Sequence, residues 1–292
     1  MFREPRKIAG GPAMASALRK SAAAHKYAHG HALVLSGGPG RGGAARLAAR
    51  GALRIGAGLV TVGCPPDALA ENAAQLNAVM LTPVHDEGAL SHVLKDRRIN
   101  AVCMGPGLST ERAQALVPVV LGAARACVLD ADALTAFEAD PAMLFGLLHE
   151  NCVLTPHGGE FARVFPDIAK RLDESSTSGP AYTRVDAARA AARQAGCVVL
   201  LKGADTVIAD PTGRALINLA DCGHDAPWLA TAGSGDVLAG FITGLLARGF
   251  APMQAAGTAA WLHVECARSF GAGLIAEDLA EKLPEVFEAL GV

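Results

Sequence analysis

The stretch Ala230-Thr231-Ala232-Gly233-Ser234-Gly235-Asp236-Val237-Leu238-Ala239-Gly240 runs into an apolar helical pattern, Val237 to Arg248, and its reading decides the fold. Gly233, Ser234 and Gly235 open that helix, and the two glycines bare backbone N–H groups where the helix dipole is positive. Such a turn can hold a phosphoryl group carrying developing charge. Asp236 falls in the first helical turn. There it is either a favourable partner of the dipole or, beside a phosphate, the acceptor of a proton from a substrate hydroxyl. No GxxxxGK[ST] loop and no HRD or DFG kinase motif occurs in the 292 residues, so phosphoryl chemistry here needs a different scaffold.

Working outward from that helix, short β-branched runs alternate with longer Ala-rich stretches of helical period, which predicts βαβ units and a mostly parallel sheet covered on both faces. Strands are expected at His31 to Ser36, Gly58 to Gly63, Ala101 to Met104, Cys127 to Asp130, Cys152 to Leu154 and Cys197 to Lys202. Helices are expected at Ala44 to Ile55, Glu111 to Ala124, Thr183 to Ala195, Val237 to Arg248 and Met253 to Phe270. Thr206 to Ala209 and Ala215 to Leu219 flank Asp210-Pro211-Thr212-Gly213-Arg214 and read as a hairpin, because Pro presets the turn and Gly accepts positive φ. Residues 1 to 30 lack a strong period and read as a docking tail, and Arg171 to Pro180 reads as a polar loop. Neither separates two composition regimes, so residues 1 to 292 are expected to form a single domain.

Other strand-to-helix junctions carry candidate chemistry. Gly38, Gly40 and Gly43 formally satisfy GxGxxG, but the next strand ends Val62-Gly63-Cys64-Pro65 without the acidic residue that would hold ribose hydroxyls. The loop is therefore a tight turn or an anion site, not a dehydrogenase fingerprint. Gly105-Pro106-Gly107-Leu108-Ser109-Thr110 permits close approach of a ligand, with Ser109 or Thr110 as helix cap. Asp130 and Asp132 sit at the carboxyl end of a strand, where open α/β sheets bind ligands, although Asp132 can equally cap the following helix. His157, flanked by Gly158, stands on an edge loop, and Glu160 is placed to be ionised near a metal or phosphate. Lys202 leaves a buried strand beside Gly203, either to snorkel to solvent or to reach a phosphate. With no HExxH and no CxxC, the motifs give a dedicated zinc site no support.

Composition narrows the partners. A net charge of -2 supplies no field for a polyanion, and 4% aromatics leave few stacking platforms, which disfavours nucleic acid. The mean hydropathy of +0.29 raises the question of a membrane span, but the best window, Val237 to Ala260, is broken by Arg248, Gly and Pro. No secretory signal pattern opens the chain. Seven cysteines, Cys64, Cys103, Cys127, Cys152, Cys197, Cys222 and Cys266, are spread singly, which suggests structural thiols in a reducing cytoplasm. The Ala-rich helix surfaces suit packing between subunits, giving a homo-oligomer, such as a tetramer, as an expectation.

Taken in order, six segments resemble the ADP/ATP-dependent NAD(P)H-hydrate dehydratase family of the ribokinase-like superfamily. They are Gly42 to Val62, Gly105 to Leu108, Leu129 to Leu134, Leu154 to Val164, Leu200 to Ala209 and Ala230 to Gly249. The resemblance implies a ribokinase-like three-layer α/β/α sandwich. It implies dehydration of (6S)-hydrated NADH or NADPH, driven by an adenine nucleotide with ADP favoured over ATP, through phosphorylation of the ring hydroxyl and elimination. Mg2+ would accompany the nucleotide. Ala44, Gly107, His157 and Asp236 would contact the hydrated dinucleotide, and Lys202, Gly203, Ala204, Asp205, Thr206 and Gly235 the nucleotide. The alternative is a ribokinase-like kinase of a vitamin-precursor alcohol. Ser109, Gly158 and Ala232 stand where the family often has Gly, Pro and Gly, and Asn218 to Trp228 departs more, since His224-Asp225-Ala226-Pro227-Trp228 replaces a GNPG-like run. Only residues 1 to 30 precede the first strand, so epimerisation of the hydrate is expected to fall to a separate protein.

Overall fold

A computed structural model describes residues 4–174, 181–219 and 225–292. Among the described residues ten strands form one sheet: β1 Arg6–Lys7, β2 His31–Leu35, β3 Leu59–Cys64, β4 Met80–Pro83, β5 Ile99–Met104, β6 Ala126–Leu129, β7 Cys152–Leu154, β8 Val198–Leu201, β9 Thr206–Ala209 and β10 Ala215–Asn218. Their spatial order is β1-β10-β9-β8-β7-β6-β5-β2-β3-β4. Only β9 runs against its neighbours, pairing antiparallel with β8 and β10 as the hairpin reading requires. The other pairings are parallel.

Central strands such as β2 and β8 are buried along their length because both faces are covered, and apart from His31 they are apolar. Ala32, Val34, Cys103 and Val128 face a core shared with helices Gly43–Arg54, Ser234–Ala247, Pro252–Phe270 and Ala276–Leu290. Leu33, Leu35, Met104 and Leu129 face the opposite core, shared with helices Thr110–Gly122, Gly158–Val164 and Arg184–Ala195. The result is the expected three-layer α/β/α sandwich.

Small residues let two helices pack closely inside the fold. A Cβ on Gly240 would collide with the carbonyl of Ala48, and one on Gly244 would lie 2.6 Å from that of Ala52. Helices Gly43–Arg54 and Ser234–Ala247 therefore cross backbone to backbone, which seats the start of the second helix against the sheet.

Two expectations are corrected. Residues 12–18 form a helix that begins at Pro12 and buries Ala15 and Leu18, while β1 adds to the sheet edge, so the tail docks with structure of its own. Arg171 to Asp173 belong to helix Pro166–Asp173, whose Ile168, Ala169 and Leu172 join the core and whose Arg171 guanidinium lies 4.2 Å from the Tyr182 ring. The rest of the proposed polar loop, residues 175–180, lies outside the described residues, as do Cys222 and His224. Helix Ala276–Leu290 and strand β4 had not been expected; β4 is a half-exposed edge strand with little apolar signal.

Candidate active site

The carboxyl ends of β6, β7 and β8 build the site. Each strand's hydrogen-bond ladder continues one step past its end: Asp130 N–H donates to Met104, Thr155 N–H to Leu129 and Lys202 N–H to Pro156. These bonds place Asp130, Thr155 and Lys202 along one sheet edge. The strand order reverses between β5 and β2, and there the loops of residues 37–43 and 105–109 meet, as at the ligand-binding crevice of open α/β sheets. A Cβ on Gly37 would strike the Gly107 carbonyl, and one on Gly107 would sit 3.5 Å from the Ala44 Cβ. Ala44 and Gly107, assigned to one ligand by the resemblance, are thus neighbours.

Lys202 is the hub. Its Nζ donates to Asp130 Oδ1 at 2.7 Å and stands 3.9 Å from Glu160 Oε2. Burial alone would lower the lysine pKa, but the carboxylates of Asp130, Glu160 and Asp236 outweigh it and raise the pKa above its usual value. The lysine is therefore a fixed positive charge, paired within the site and not snorkelling free.

Asp236 is the third residue of helix Ser234–Ala247 and half-buried. Burial, aided by the like charges of Asp130, Glu160 and Asp132, pushes its carboxyl up to about 6 against the pull of Lys202. Gly233, the N-cap, has φ +88, and a Cβ there would lie 2.6 Å from Leu47 and 2.9 Å from Ala276, so only glycine fits. Ser234 N–H donates to the Thr231 carbonyl at 3.4 Å and Val237 N–H to that of Gly233, so the amides of Gly235 and Asp236 are the ones with no carbonyl one turn back and face a ligand. His263, buried in helix Pro252–Phe270, donates from Nε2 to the Ser234 carbonyl at 2.8 Å and braces this turn. Burial lowers the imidazole to about 4, so it stays neutral.

His157 caps helix Gly158–Val164. Its Nδ1 accepts from the N–H groups of Gly159 and Glu160, and Glu160 Oε2 accepts the His157 N–H at 2.8 Å. With Nδ1 accepting, the neutral ring carries its proton on Nε2, 3.2 Å from Glu160 Oε1. Glu160 is thus a buried capping carboxylate. Desolvation raises its pKa, against its expected role as a readily ionised group. Asp132 accepts the Ser109 N–H at 2.8 Å, which ties the loop after β5 to the loop after β6 instead of capping its own helix.

A cavity of about 600 Å³ opens beside these groups, lined by Lys202, Gly203, Ala204, Thr206, Gly235 and His263 among others. Five of the six residues assigned to nucleotide line it; Asp205 does not. Arg184 anchors this turn through the carbonyls of Leu201, Lys202 and Asp205. Sequence reasoning missed Arg184 and His263, which carry no motif and act from helices. It noted Asp130 but did not foresee the pairing with Lys202. That pairing depends on strand order.

Comparison with known proteins decides the family. Residues 32–287 match the model of the NAD(P)H-hydrate dehydratase family. The chain belongs to that family. It is 39% identical over 287 residues to the bifunctional NAD(P)H-hydrate repair enzyme Nnr of Moorella thermoacetica, covering 93% of this chain and 52% of that protein. The chain spans about half the length of the curated relatives it matches. It superimposes with a TM-score of 0.75 at 29% identity on the ADP/ATP-dependent NAD(P)H-hydrate dehydratase of Bacillus subtilis co-crystallised with ATP and Mg2+, covering 95% of this chain and 96% of that one. A hydroxyethylthiazole kinase of Pyrococcus horikoshii, with a TM-score of 0.58 at 13% identity over 95% of this chain and 92% of that one, shares the fold. The fold is ribokinase-like, and the family match favours the dehydratase reading over the vitamin-precursor kinase.

Proposed function

We propose that this chain restores NADH and NADPH from their (6S)-hydrates at the expense of an adenine nucleotide, with ADP favoured over ATP. The observation that carries the reading is Asp236, held up to about 6 at the mouth of an amide-lined helix start beside a 600 Å³ cavity. In its ionised form Asp236 accepts the proton of the ring hydroxyl as the hydroxyl oxygen takes the terminal phosphoryl group. The amides of the turn at Gly233, Ser234 and Gly235 stabilise the charge on the transferring group. Hydroxide is a poor leaving group and phosphate a good one. The C–O bond then breaks as the ring nitrogen's lone pair forms an iminium, and loss of a proton from the adjacent carbon to water restores the ring double bond.

Lys202 with the turn of Gly203, Ala204, Asp205 and Thr206, and with Gly235, would hold the nucleotide. Ala44, Gly107 and His157 would hold the dinucleotide with Asp236. Asp130, Glu160 and Asp236 outnumber the single Lys202 at the sheet edge, a surplus of negative charge that fits a divalent cation shared with nucleotide phosphates. Asp130 and Glu160 would hold Mg2+ there, and when bound it would neutralise phosphate charge. We infer that the protein acts as a homo-oligomer in the cytoplasm. The six free, buried cysteines among the described residues support the reducing compartment.

Purified protein with Mg2+ and ADP or ATP should restore the reduced-nicotinamide absorbance of hydrated NADH. No recovery with either nucleotide would sink the proposal.

A further inference from the structure

At the opposite ends of the same strands lies a cluster that the reaction does not use. Cys127 and Cys152 are direct partners in the pairing of β6 with β7, so their side chains leave the sheet on one face. Their sulfurs are 3.4 Å apart, and a ring nitrogen of His149 completes a trio whose ligand atoms all lie within 4.8 Å of one another. The turn before β7 fixes the histidine: its carbonyl accepts the Cys152 N–H at 3.0 Å, its own N–H donates to Cys152 Sγ at 3.5 Å, and Nδ1 accepts from Asn151 at 3.3 Å. Its Nε2 is buried without a hydrogen-bond partner. Pairing of Val153 with Val198 sets Cys197, one residue earlier, next in the row, and all three thiols belong to the same core.

We propose that Cys127, Cys152 and His149 form a site for one thiophilic divalent cation, Zn2+, with Cys197 or a water in the fourth position. A tetrahedral zinc with bonds of about 2.3 Å to sulfur sets its two sulfurs about 3.8 Å apart. The observed separation needs to open by roughly 0.4 Å for zinc, but to close by roughly 1.4 Å for a disulfide of about 2.0 Å. Metal is thus the smaller rearrangement. Two thiolates and an imidazole are the soft donor set that selects zinc over magnesium, and binding releases the two thiol protons. Glu150 and Asn151, both exposed, leave the turn open as an entry path. No CxxC spacing announces the site because strand register, not chain proximity, assembles it.

The test titrates the reduced, chelator-treated full chain with Co2+ as a spectroscopic stand-in. The expected result is one equivalent bound with a thiolate-to-cobalt charge-transfer band and strong tetrahedral ligand-field bands, bleached by one equivalent of Zn2+. Cys127→Ala with Cys152→Ala should abolish the charge-transfer band, and Cys266→Ala should leave it unchanged. Should the double variant not fold, His149→Gln, a change in a half-exposed turn, should weaken Co2+ binding by at least about 10–100-fold while keeping a thiolate band. Absence of the band in the wild type, its persistence without both cysteines, or unchanged affinity in His149→Gln would overturn the proposal.

Discussion

Three adjacent parallel strands, β6, β7 and β8, carry opposite chemistry at their two ends. At the amino ends stand Cys127, Cys152 and Cys197; at the carboxyl ends stand Asp130, Thr155 and Lys202. Only two residues, Val128 and Leu129, and about 10 Å of strand separate Cys127 from Asp130. Helix starts converge on the carboxyl ends, among them Gly158–Val164 and Ser234–Ala247, and their dipoles favour negative charge there. The amino ends are entered from turns and packed against apolar side chains, which suits thiols. The sheet thus sorts hard, charged chemistry from soft chemistry with the same strands.

The sharpest way to break this division is Asp236→Asn. If the carboxyl end does proton transfer, turnover should fall by about 10²–10⁴-fold while nucleotide affinity, measured by calorimetry, stays largely intact. In the wild type, kcat/KM should decline as pH falls through about 6, because only the ionised carboxylate accepts a proton. Turnover retained in Asp236→Asn would remove proton transfer from this end of the sheet.

Lys202→Met tests whether the carboxyl ends depend on a single cation. Asp130 has a side chain 2% exposed and would be left as a buried charge without its ion-pair partner. Breaking such a pair costs about 3–5 kcal/mol, so denaturant melts should show a large loss. Adding Asp130→Asn should recover part of it. A melt unaltered by Lys202→Met would mean that water, not the lysine, neutralises Asp130.

A third effect has the opposite sign. The folded pKa of Asp236, about 6, lies above its ordinary 3.8, so the folded state holds a proton that the unfolded state has already lost. The folded state is then penalised as pH rises between about 4 and 6, and the penalty is full above that window. Asp236→Asn should therefore stabilise the protein by of order 1–3 kcal/mol at pH 8 and by nothing near pH 3. A stabilised, inactive variant would mark the carboxyl end as a place where function opposes stability.

Much of this was legible beforehand, and what was not has physical reasons. The apolar strands and the turn at Gly233 to Asp236 announce themselves because burial on both faces and helix-start geometry constrain each residue type locally. Strand β4 escaped because an edge strand with Met80 44% exposed needs no apolar run. The Lys202–Asp130 pair and the thiol trio escaped for a deeper reason: each joins segments that only the order and register of the sheet bring together. His263 reads as an ordinary core histidine until the Ser234 carbonyl is seen to face it.

Ser109 sharpens the comparison at its smallest scale, since it stands where the family pattern often has glycine. Its φ of +72 lies in the region that glycine favours, while its Oγ caps the following helix through a long 3.4 Å bond from Arg112 N–H. A non-glycine residue there costs of order 1–3 kcal/mol, whereas replacing a serine cap by glycine costs only a few tenths. Strain outweighs the cap, so Ser109→Gly should raise stability by about 1 kcal/mol in thermal melts. The Ser109 N–H would still reach Asp132, because that bond comes from the backbone. A destabilised variant would show that the serine hydroxyl, and not the backbone, holds this corner of the carboxyl edge in place.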